Sequence, residues 1–324
     1  MSADSASKKG PVLRLGTRGS PLSMAQAGKV RDLLLGVHPE LEVEIQTIRT
    51  SGDRFIERDL SKIGGKGLFT KEIEEALLGG AVDIAVHSMK DVPTWLPRGL
   101  GIFCMPARED PRDVFISPKA RSLDEIEAGA VVGTASLRRK AQILHKRPDL
   151  EVVPLRGNVE TRLEKLKRGE VDATLLALAG LRRLNLAEGA GTVLAPEEML
   201  PAVGQGALGV ECREDDEYVR GLLAPLNHGP TMARVAAERA ALEALDGSCR
   251  TPIAALAEFE GAAAEAHETA TGTMTLRVLV AKPDGSALFE TFRRGPCAEA
   301  YAMGKDAGDE LRKIAGPGFF DAKG

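Results

Sequence analysis

The feature that most constrains the fold of this chain is an internal repeat. Residues 75–85 (EALLGGAVDIA) match residues 164–174 (EKLKRGEVDAT) in order and spacing. Each copy ends a helix with a leucine on its inner face, supplies a glycine C-cap and opens a short apolar strand with Val-Asp. The segments that begin each half also match, since an apolar strand runs into Gly-Thr at 16–17 and again at 133–134. The repeat therefore predicts two α/β units.

The segments between and after the repeats predict how the units are connected. Strands that alternate with helical stretches are typical of mostly parallel sheets. A polar, proline-bounded link at 106–112 separates the two units, and a second link at 196–206 ends in VGQG. The apolar stretch at 207–211 has the pattern of a strand. We expect it to return to the first sheet, which makes the first domain discontinuous.

The last third of the chain has a different pattern. Apolar residues at helical spacing cover 231–245, and a strand follows at 252–259. Two alternating stretches flank the Lys-Pro-Asp-Gly sequence at 282–285, which is a hairpin signal. A final helix is expected at 297–314. The pattern predicts a small α+β domain with a three-stranded antiparallel sheet.

These segments predict three domains with flexible ends. The expected bounds are 11–106 with 207–225 for the first domain, 112–200 for the second and 229–316 for the third, with tails at 1–10 and 317–324 and a mobile lid loop at 51–67. The N-terminal tail is rich in Ser, Ala and Lys and lacks the apolar stretch of a signal peptide.

Composition excludes several classes of protein. The formal net charge of −4 and the scarcity of Trp and Tyr argue against a nucleic-acid-binding protein. No apolar run approaches the roughly 18 residues that a membrane span needs. The chain has 4 cysteines, which are far apart and form no metal-ligand pattern, so neither zinc nor a disulfide framework is expected. Free thiols fit a reducing compartment, and we expect a cytoplasmic location.

Local arginine clusters and helix starts predict a site for an acidic ligand. Ser20 is the expected N-cap of the first helix, beside Arg18, and Ser136 has the equivalent place beside Arg138. Asn158 is the expected N-cap of a further helix, which has Arg162 in its beginning. Capping alone is the alternative explanation of the two serines, and pairing with Glu160 or Glu164 is the alternative for Arg162.

Two further side chains could carry chemistry. Cys249 lies among turn-forming residues beside an arginine, a setting that favours the thiolate, although an incidental structural cysteine is the alternative. Asp91 follows a strand expected at 82–86 and lies close to Lys90 and His87. A carboxylate there could stabilise a developing cation or shuttle protons, and a simple turn residue is the alternative.

Seven motifs in order resemble those of the porphobilinogen deaminase (hydroxymethylbilane synthase) family. They are TRGSPL (17–22), KIGGKGLF (62–69), VHSMKDVP (86–93), REDPRD (108–113), GTASLRR (133–139), LRGNV (155–159) and PAVGQG (201–206). The glycine-rich motif lacks the hydroxyl residue of a phosphate-binding loop, which leaves a lid as the better interpretation. Gly19 and Ala135 depart from the family pattern, and Ala135 puts one hydroxyl contact in doubt.

The resemblance implies two α/β domains like the lobes of periplasmic binding proteins and a third domain that carries the cofactor. It implies a monomeric transferase that joins four porphobilinogen molecules head to tail, releases ammonia at each step and hydrolyses off a linear tetrapyrrole. The primer is a dipyrromethane cofactor bound through a thioether, and no metal, membrane or nucleic acid is involved.

The resemblance also implies the roles of individual residues. Asp91 is the catalytic carboxylate; Cys249 holds the cofactor, which Ser20, Lys90, Asp91, Ser136, Arg138, Arg139 and Gly157 contact; Arg18, Arg156, Arg162, Arg183 and Gln205 bind substrate; Lys62 and Lys66 lie in the lid. The residue types suit the chemistry, because a planar guanidinium binds the carboxylates of each pyrrole bidentately. A two-lobed binding protein for a small polycarboxylate is the alternative, and it would need neither the cysteine nor a third domain.

Overall fold

The computed structural model describes residues 12–54, 70–245, 251–261 and 271–319. Cys249, Lys62, Lys66 and most of the predicted lid loop lie outside these residues. In chain order the described elements are β1 (Val12–Thr17), α1 (Pro21–Val37), β2 (Glu42–Thr47), α2 (Ser51–Arg54), α3 (Lys71–Leu78), β3 (Ile84–Ser88), β4 (Leu100–Cys104), β5 (Asp113–Ile116), β6 (Val131–Gly133), α4 (Leu137–Lys146), β7 (Glu151–Val153), α5 (Val159–Lys167), β8 (Ala173–Ala177), α6 (Leu178–Arg183), β9 (Thr192–Val193), β10 (Leu208–Arg213), α7 (Glu217–Leu223), α8 (Gly229–Ala244), β11 (Ile253–Phe259), β12 (Thr273–Ala281), β13 (Leu288–Pro296) and α9 (Ala300–Ala315).

The first two sheets have the same strand arrangement. The first five-stranded sheet has the order β2-β1-β3-β10-β4, and the second has the order β7-β6-β8-β5-β9. In each, the first three strands run parallel, and the fourth position is taken by an antiparallel strand, β10 or β5. β10 follows the second sheet in the chain and joins the first, as the sequence predicts. The predicted α/β class and the two α/β units are confirmed.

The repeated Val-Asp has a structural role that the sequence interpretation did not include. β3 and β8 start one residue after the repeated aspartates, Asp83 and Asp172, which are not themselves strand residues. Asp83 accepts a hydrogen bond from the backbone N–H of Arg14 in β1 at 3.0 Å. Asp172 accepts one from the backbone N–H of Val131 in β6 at 2.7 Å. Each aspartate therefore ties the start of one central strand to its neighbour.

The three N-caps that the sequence predicts beside the cleft are confirmed. Ser20, Ser136 and Asn158 each accept a backbone N–H with the side chain and cap α1, α4 and α5. These bonds satisfy donors that every helix start leaves open. Each of these helices follows a strand after a short loop, so their N-termini lie near the strand ends, where open α/β sheets bind ligands.

The third sheet is antiparallel, with the order β11-β12-β13, and α8 and α9 pack together beside it. The two helices approach closely at Gly304, where a Cβ atom would lie 2.0 Å from the carbonyl oxygen of Ala237. A larger residue would force the helices apart. Phe319, in the predicted C-terminal tail, packs on Phe289 with ring centroids 5.6 Å apart, so this part of the tail contacts the third unit.

A buried ion pair joins the third unit to the links between the lobes. Arg108 Nη1 lies 2.6 Å from Glu238 Oε1, and the two side chains are 2% and 0% exposed. Glu238 also accepts the backbone N–H groups of Gly204 and Ala257. One carboxylate on α8 therefore holds the first link, the second link and β11. The segment that contains Cys249 follows α8 directly.

Candidate functional site

The turn after β3 presents Lys90 and Asp91 to the cleft. β3 continues into a single 3₁₀ turn, Met89–Asp91. Met89 is only 1% exposed and anchors this turn in the core, whereas the two residues after it are exposed. Arg239 of α8 supports the turn from behind by donating to the carbonyl oxygens of Val92 at 3.0 Å and Pro93 at 2.6 Å. The Asp91 carboxylate is thus held on a rigid base and left open to a ligand.

Asp91 shares a small cavity with polar groups from three other parts of the first lobe. Its polar lining includes Arg18, Ser23, Gln26, Thr70, His87 and Asp91. Ser20 lies at the adjacent start of α1, where its hydroxyl donates to Ser23 Oγ at 2.8 Å and accepts the backbone N–H of Ser23. The helix N-terminus, one cation and one carboxylate therefore meet at one strand end, an arrangement suited to an acidic ligand that develops positive charge.

Lys90 has an altered proton affinity. Its pKa is lowered to about 8, chiefly because the surrounding protein displaces water, and the charges of Arg139 and Arg138 lower it further. Asp91 and Asp113 oppose this effect. The side chain remains exposed, so water still screens part of it. Near neutral pH the ammonium form can still bind a carboxylate.

Arg138 and Arg139, the predicted cofactor ligands of the second lobe, are both 5% exposed and bind a buried carboxylate. Their Nη2 atoms lie 2.8 Å from the two oxygens of Asp113, and their Nη1 atoms donate to carbonyls of Leu200 and Leu175. Burial alone would raise the pKa of Asp113, but the two guanidinium charges and hydrogen bonds lower it below its ordinary value. Asp113 lies within the REDPRD motif, but the sequence analysis gave it no role.

Gln205, a predicted substrate ligand, belongs to the same buried network. Its side-chain amide donates to Asp113 Oδ1 at 2.8 Å and to the carbonyl of Pro111 at 2.6 Å. It is 1% exposed. Its contacts hold the second link to the start of β5 and thereby fix the junction of the two lobes. Its role in substrate binding stays a prediction.

Arg162, on α5, faces the first lobe. Its Nε donates to the carbonyl of Gly157 at 2.9 Å, and the described residues give it no pairing with Glu160 or Glu164, the alternative expected from the sequence. The pKa of Arg162 is lowered to about 10 by burial and by the charge of Arg139, and the charge of Asp91 opposes this. Asp91 and Arg162 therefore lie close enough across the cleft to interact.

Gly157 and Arg156 lie at the same helix start. Gly157 has a φ of 118°, which L side chains rarely adopt, and Asn158 follows it as the N-cap of α5. Arg156 is half-buried. The glycine lets the chain turn sharply, so that its carbonyl meets Arg162 and its neighbour Arg156 lies beside the helix N-terminus.

Arg183, a predicted substrate ligand, lies at the end of α6 in the second lobe. Its Nη2 donates to the carbonyl of Gly206 at 2.6 Å, and its Nε is buried without a hydrogen-bond partner in the described part of the chain. Burial lowers its pKa to about 10, and Glu109 opposes this. A buried donor without a partner costs free energy, which an anionic ligand would recover.

The described thiols are poorly suited to nucleophilic chemistry. Cys104, Cys212 and Cys297 are buried and free. Burial raises the pKa of Cys104 to about 12 and that of Cys212 to about 11. In the described ranges no helix is long and apolar enough to cross a membrane. In the same ranges no group of three or more His, Cys, Asp or Glu side chains is arranged so that it could hold a metal ion.

Sequence reasoning missed the partners that are distant in the chain. Besides Asp113, these are Glu211, which lies 2.9 Å from His87, and Glu238 and Arg239 on α8. Charged residues on otherwise apolar strands and helices are the available signal, since such residues are rarely buried without a partner.

Two family models match this chain, one over the two α/β lobes and one over the third unit. Residues 13–221 match the family model "Porphobilinogen deaminase, dipyromethane cofactor binding domain", and residues 232–313 match "Porphobilinogen deaminase, C-terminal domain". A chloroplastic porphobilinogen deaminase of Oryza sativa is 55% identical over 98% of this chain and 88% of its own length. A porphobilinogen deaminase of Nitrobacter winogradskyi is 53% identical over 94% of each chain.

Two periplasmic binding proteins of known structure are more distant in sequence. The periplasmic aliphatic sulphonate-binding protein of Escherichia coli is 16% identical with a TM-score of 0.39, covering 73% of this chain and 70% of its own. A periplasmic substrate-binding protein of Coxiella burnetii is 16% identical with a TM-score of 0.41, covering 66% and 91%. On the two matching family models and the closely similar relatives, the chain belongs to the porphobilinogen deaminase family.

Proposed function

We propose that the chain is a transferase that condenses four porphobilinogen molecules head to tail on a dipyrromethane primer and then hydrolyses off the linear tetrapyrrole. The observation that carries this proposal is the open Asp91 carboxylate, which faces Arg162 across a cleft with Lys90 beside it. Family membership supports the reaction class. A simple polycarboxylate-binding protein would need the cations but not an exposed carboxylate among them.

The donor set fits the dipyrromethane cofactor. Each pyrrole carries two carboxylates, and the cleft offers Lys90 and Arg162. Arg183 adds a buried Nε that has no hydrogen-bond partner among the described residues. We propose that these groups, with Arg18, Arg156 and the helix starts at Ser20 and Ser136, hold cofactor and substrate carboxylates. The cofactor, bound to Cys249, would supply the pyrrole carbon to which substrate is added. The three buried cysteines support this assignment, because they leave Cys249 as the remaining thiol of 4 in the chain.

The chain's own residues would divide the work as follows. Asp91 would stabilise the cationic pyrrole that remains when ammonia leaves the aminomethyl group. Lys90, Arg162 and Arg183 would orient the acetate and propionate groups. Ligand binding by Arg138, Arg139 and Gln205 stays a prediction. Their contacts with Asp113 support a further role in holding the cleft wall together.

We also propose the domain bounds 11–106 with 207–225, 112–200 and 229–316, and a lid that includes Lys62 and Lys66. Membership of the three sheets supports the first three bounds. A monomer in the cytoplasm is part of the same proposal, and the buried, free state of the described cysteines supports a reducing compartment. The rice and pea relatives are named as chloroplastic. Light scattering of the purified chain would test the monomer.

The experiment that tests the proposed function is intact mass combined with product analysis. The purified protein should exceed its sequence mass by two condensed pyrrole units and should release ammonia from porphobilinogen. Cys249→Ser should remove the added mass, whereas Cys297→Ser, a matched change at a buried thiol, should keep it. A fully active protein without added mass would contradict the tether.

A further inference from the structure

Directly behind the Asp91 cavity lies a buried group of three acid–base side chains. Glu74, His87 and Glu211 are 7%, 7% and 1% exposed and come from α3, β3 and β10. The proposed function gives none of them a role. Ionisable side chains are costly to bury, so three of them at the wall of a reaction site call for an explanation.

Strand register brings His87 and Glu211 together. His87 lies opposite Gly209 and Glu211 lies opposite Ala85, which makes the histidine and the glutamate diagonal neighbours on the antiparallel β3–β10 pair. Nε2 of His87 is 2.9 Å from Oε2 of Glu211. A carboxylate at this nitrogen fixes the tautomer and the orientation of the ring.

The other ring nitrogen of His87 is available to the cavity. The side chain lines the same cavity as Asp91 and Arg18. Within the described ranges no residue hydrogen-bonds its Nδ1, and Nδ1 is not among the fully buried unpartnered atoms. The imidazole therefore connects Glu211 on its inner side with the cavity on its outer side.

Glu74 adds a second carboxyl group on the inner side. Burial and the nearby carboxylate of Glu211 raise its pKa. Oε1 of Glu74 and Oε1 of Glu211 are buried without a hydrogen-bond partner among the described residues. Among the described residues these two carboxyl oxygens have no donor, and a proton added to the group would supply a hydrogen bond to one of them.

We propose that His87, oriented by Glu211, takes the proton that the acceptor pyrrole loses when each new carbon–carbon bond forms. This inference rests on the proposed function and deepens it. Asp91 keeps its charge for the cationic ring, and His87 acts as the base. Glu211 and Glu74 are positioning residues, since they act through the imidazole.

Every bond and proton in the carbon–carbon bond-forming step is accounted for. The α-carbon of the acceptor pyrrole bonds to the methylene carbon of the incoming cation, and the α C–H bond breaks. Its electron pair restores the aromatic ring, and its proton goes to Nδ1 of His87. The imidazolium then gives this proton to the ammonia released from the same substrate, which leaves as ammonium. No oxidant or further reactant is needed.

The neighbouring groups favour the histidine as this base. The charged groups around it are Glu211 from β10, Glu74 from α3, Asp91 from the following turn and Arg18 from the loop after β1. If Asp91 took the proton, it would lose the charge that stabilises the cation. Arginine stays protonated at any working pH. An imidazole can accept the proton without that loss.

The first test is independent of turnover. The chain has 5 histidines, so ¹⁵N-histidine labelling of the holoprotein gives a spectrum that single substitutions can assign. At pH 7.5 we expect His87 to carry its proton on Nε2 and to have a bare Nδ1. Glu211→Gln should change this signal, and Glu109→Gln, which is outside the cavity lining, should not. A proton on Nδ1 in the wild-type protein would overturn the proposal.

The second test is kinetic. His87→Gln should lower kcat by about 100-fold with KM within about twofold, which is the size expected for loss of a general base. It should also raise the kinetic isotope effect for acceptor rings deuterated at the α-carbon, because proton removal becomes the slow step. His38→Gln, a histidine whose Nε2 contacts the carbonyl of Leu222 at 3.0 Å, should change neither value.

The outcomes separate this proposal from the proposed function. Wild-type protein that releases no ammonia from porphobilinogen would contradict the function itself. Wild-type activity together with an unchanged isotope effect in His87→Gln would leave the function intact and exclude His87 as the base. If His87→Gln does not fold, the ¹⁵N signal of the wild-type protein and the isotope effect in Glu211→Gln decide the question.

Discussion

Asp91 and Asp113 are two aspartates beside the same cleft with opposite surroundings. Asp113 is 0% exposed and accepts hydrogen bonds from Arg138, Arg139 and Gln205. Asp91 is exposed on a turn, with Lys90 as its sequence neighbour and Arg162 across the cleft. Both lie near cations, but only the carboxylate of Asp113 is buried and hydrogen-bonded to several side chains of the protein.

The difference in burial separates an aspartate with a structural role from one that is open to a ligand. A buried carboxylate with several charged donors holds distant segments together and has no capacity left for a ligand. An exposed carboxylate on a rigid turn can respond to charge that appears in the reaction. Arginines in a family motif are therefore not equivalent: Arg138 and Arg139 hold the cleft wall together through Asp113, although Arg138, like Arg183, keeps a buried Nε without a hydrogen-bond partner among the described residues.

Asp91→Asn tests the chemical side of this contrast and should have the largest effect. We expect turnover to fall by about 10²–10⁴-fold, because the neutral amide no longer stabilises the cation. The stability should change by less than about 0.5 kcal/mol, since the side chain is exposed. Steady-state ammonia release and urea unfolding measure the two effects. Asp124→Asn is the matched control at an exposed aspartate. Near-normal turnover of Asp91→Asn would exclude Asp91 from the mechanism.

Asp113→Asn tests the structural side. Removing this charge leaves two buried guanidinium groups without a counter-charge, so the free energy of unfolding should fall by about 3–5 kcal/mol. Urea unfolding followed by circular dichroism gives this value. Glu109→Gln is the comparison: its partner Arg182 is 46% exposed, and such a pair contributes about 0–1 kcal/mol. Equal losses of unfolding free energy in both variants would show that the buried network contributes no more stability than an exposed ion pair.

Lys90 should sharpen the contrast through pH. Its pKa of about 8 means that it is charged below this pH and neutral above it. If it binds a carboxylate, KM should rise up to about tenfold between pH 7 and pH 9 as the charged fraction falls. Lys90→Arg should flatten the rise because a guanidinium stays charged. Lys146→Arg should keep the wild-type slope. A slope unchanged in Lys90→Arg would assign the pH dependence to another group.

The sequence alone predicted the local parts of this molecule well. The caps at Ser20, Ser136 and Asn158 and the returning strand β10 are found where the sequence predicts them. Such signals succeed because a cap or an alternating strand depends on residues a few positions apart. The family motifs likewise identified the turn that carries Asp91.

Only the tertiary structure decided which charged residues face each other. Asp113 and Arg139 are 26 positions apart, and His87 and Glu211 are 124 positions apart. The first contact depends on the packing of α4 beside β5, and the second depends on strand register and on the return of β10 to the first sheet. No local pattern encodes either. The sequence therefore determined the elements, the family and the residue types at the cleft. The packing of the sheets decided which of those charges are used up in the fold and which are left for chemistry.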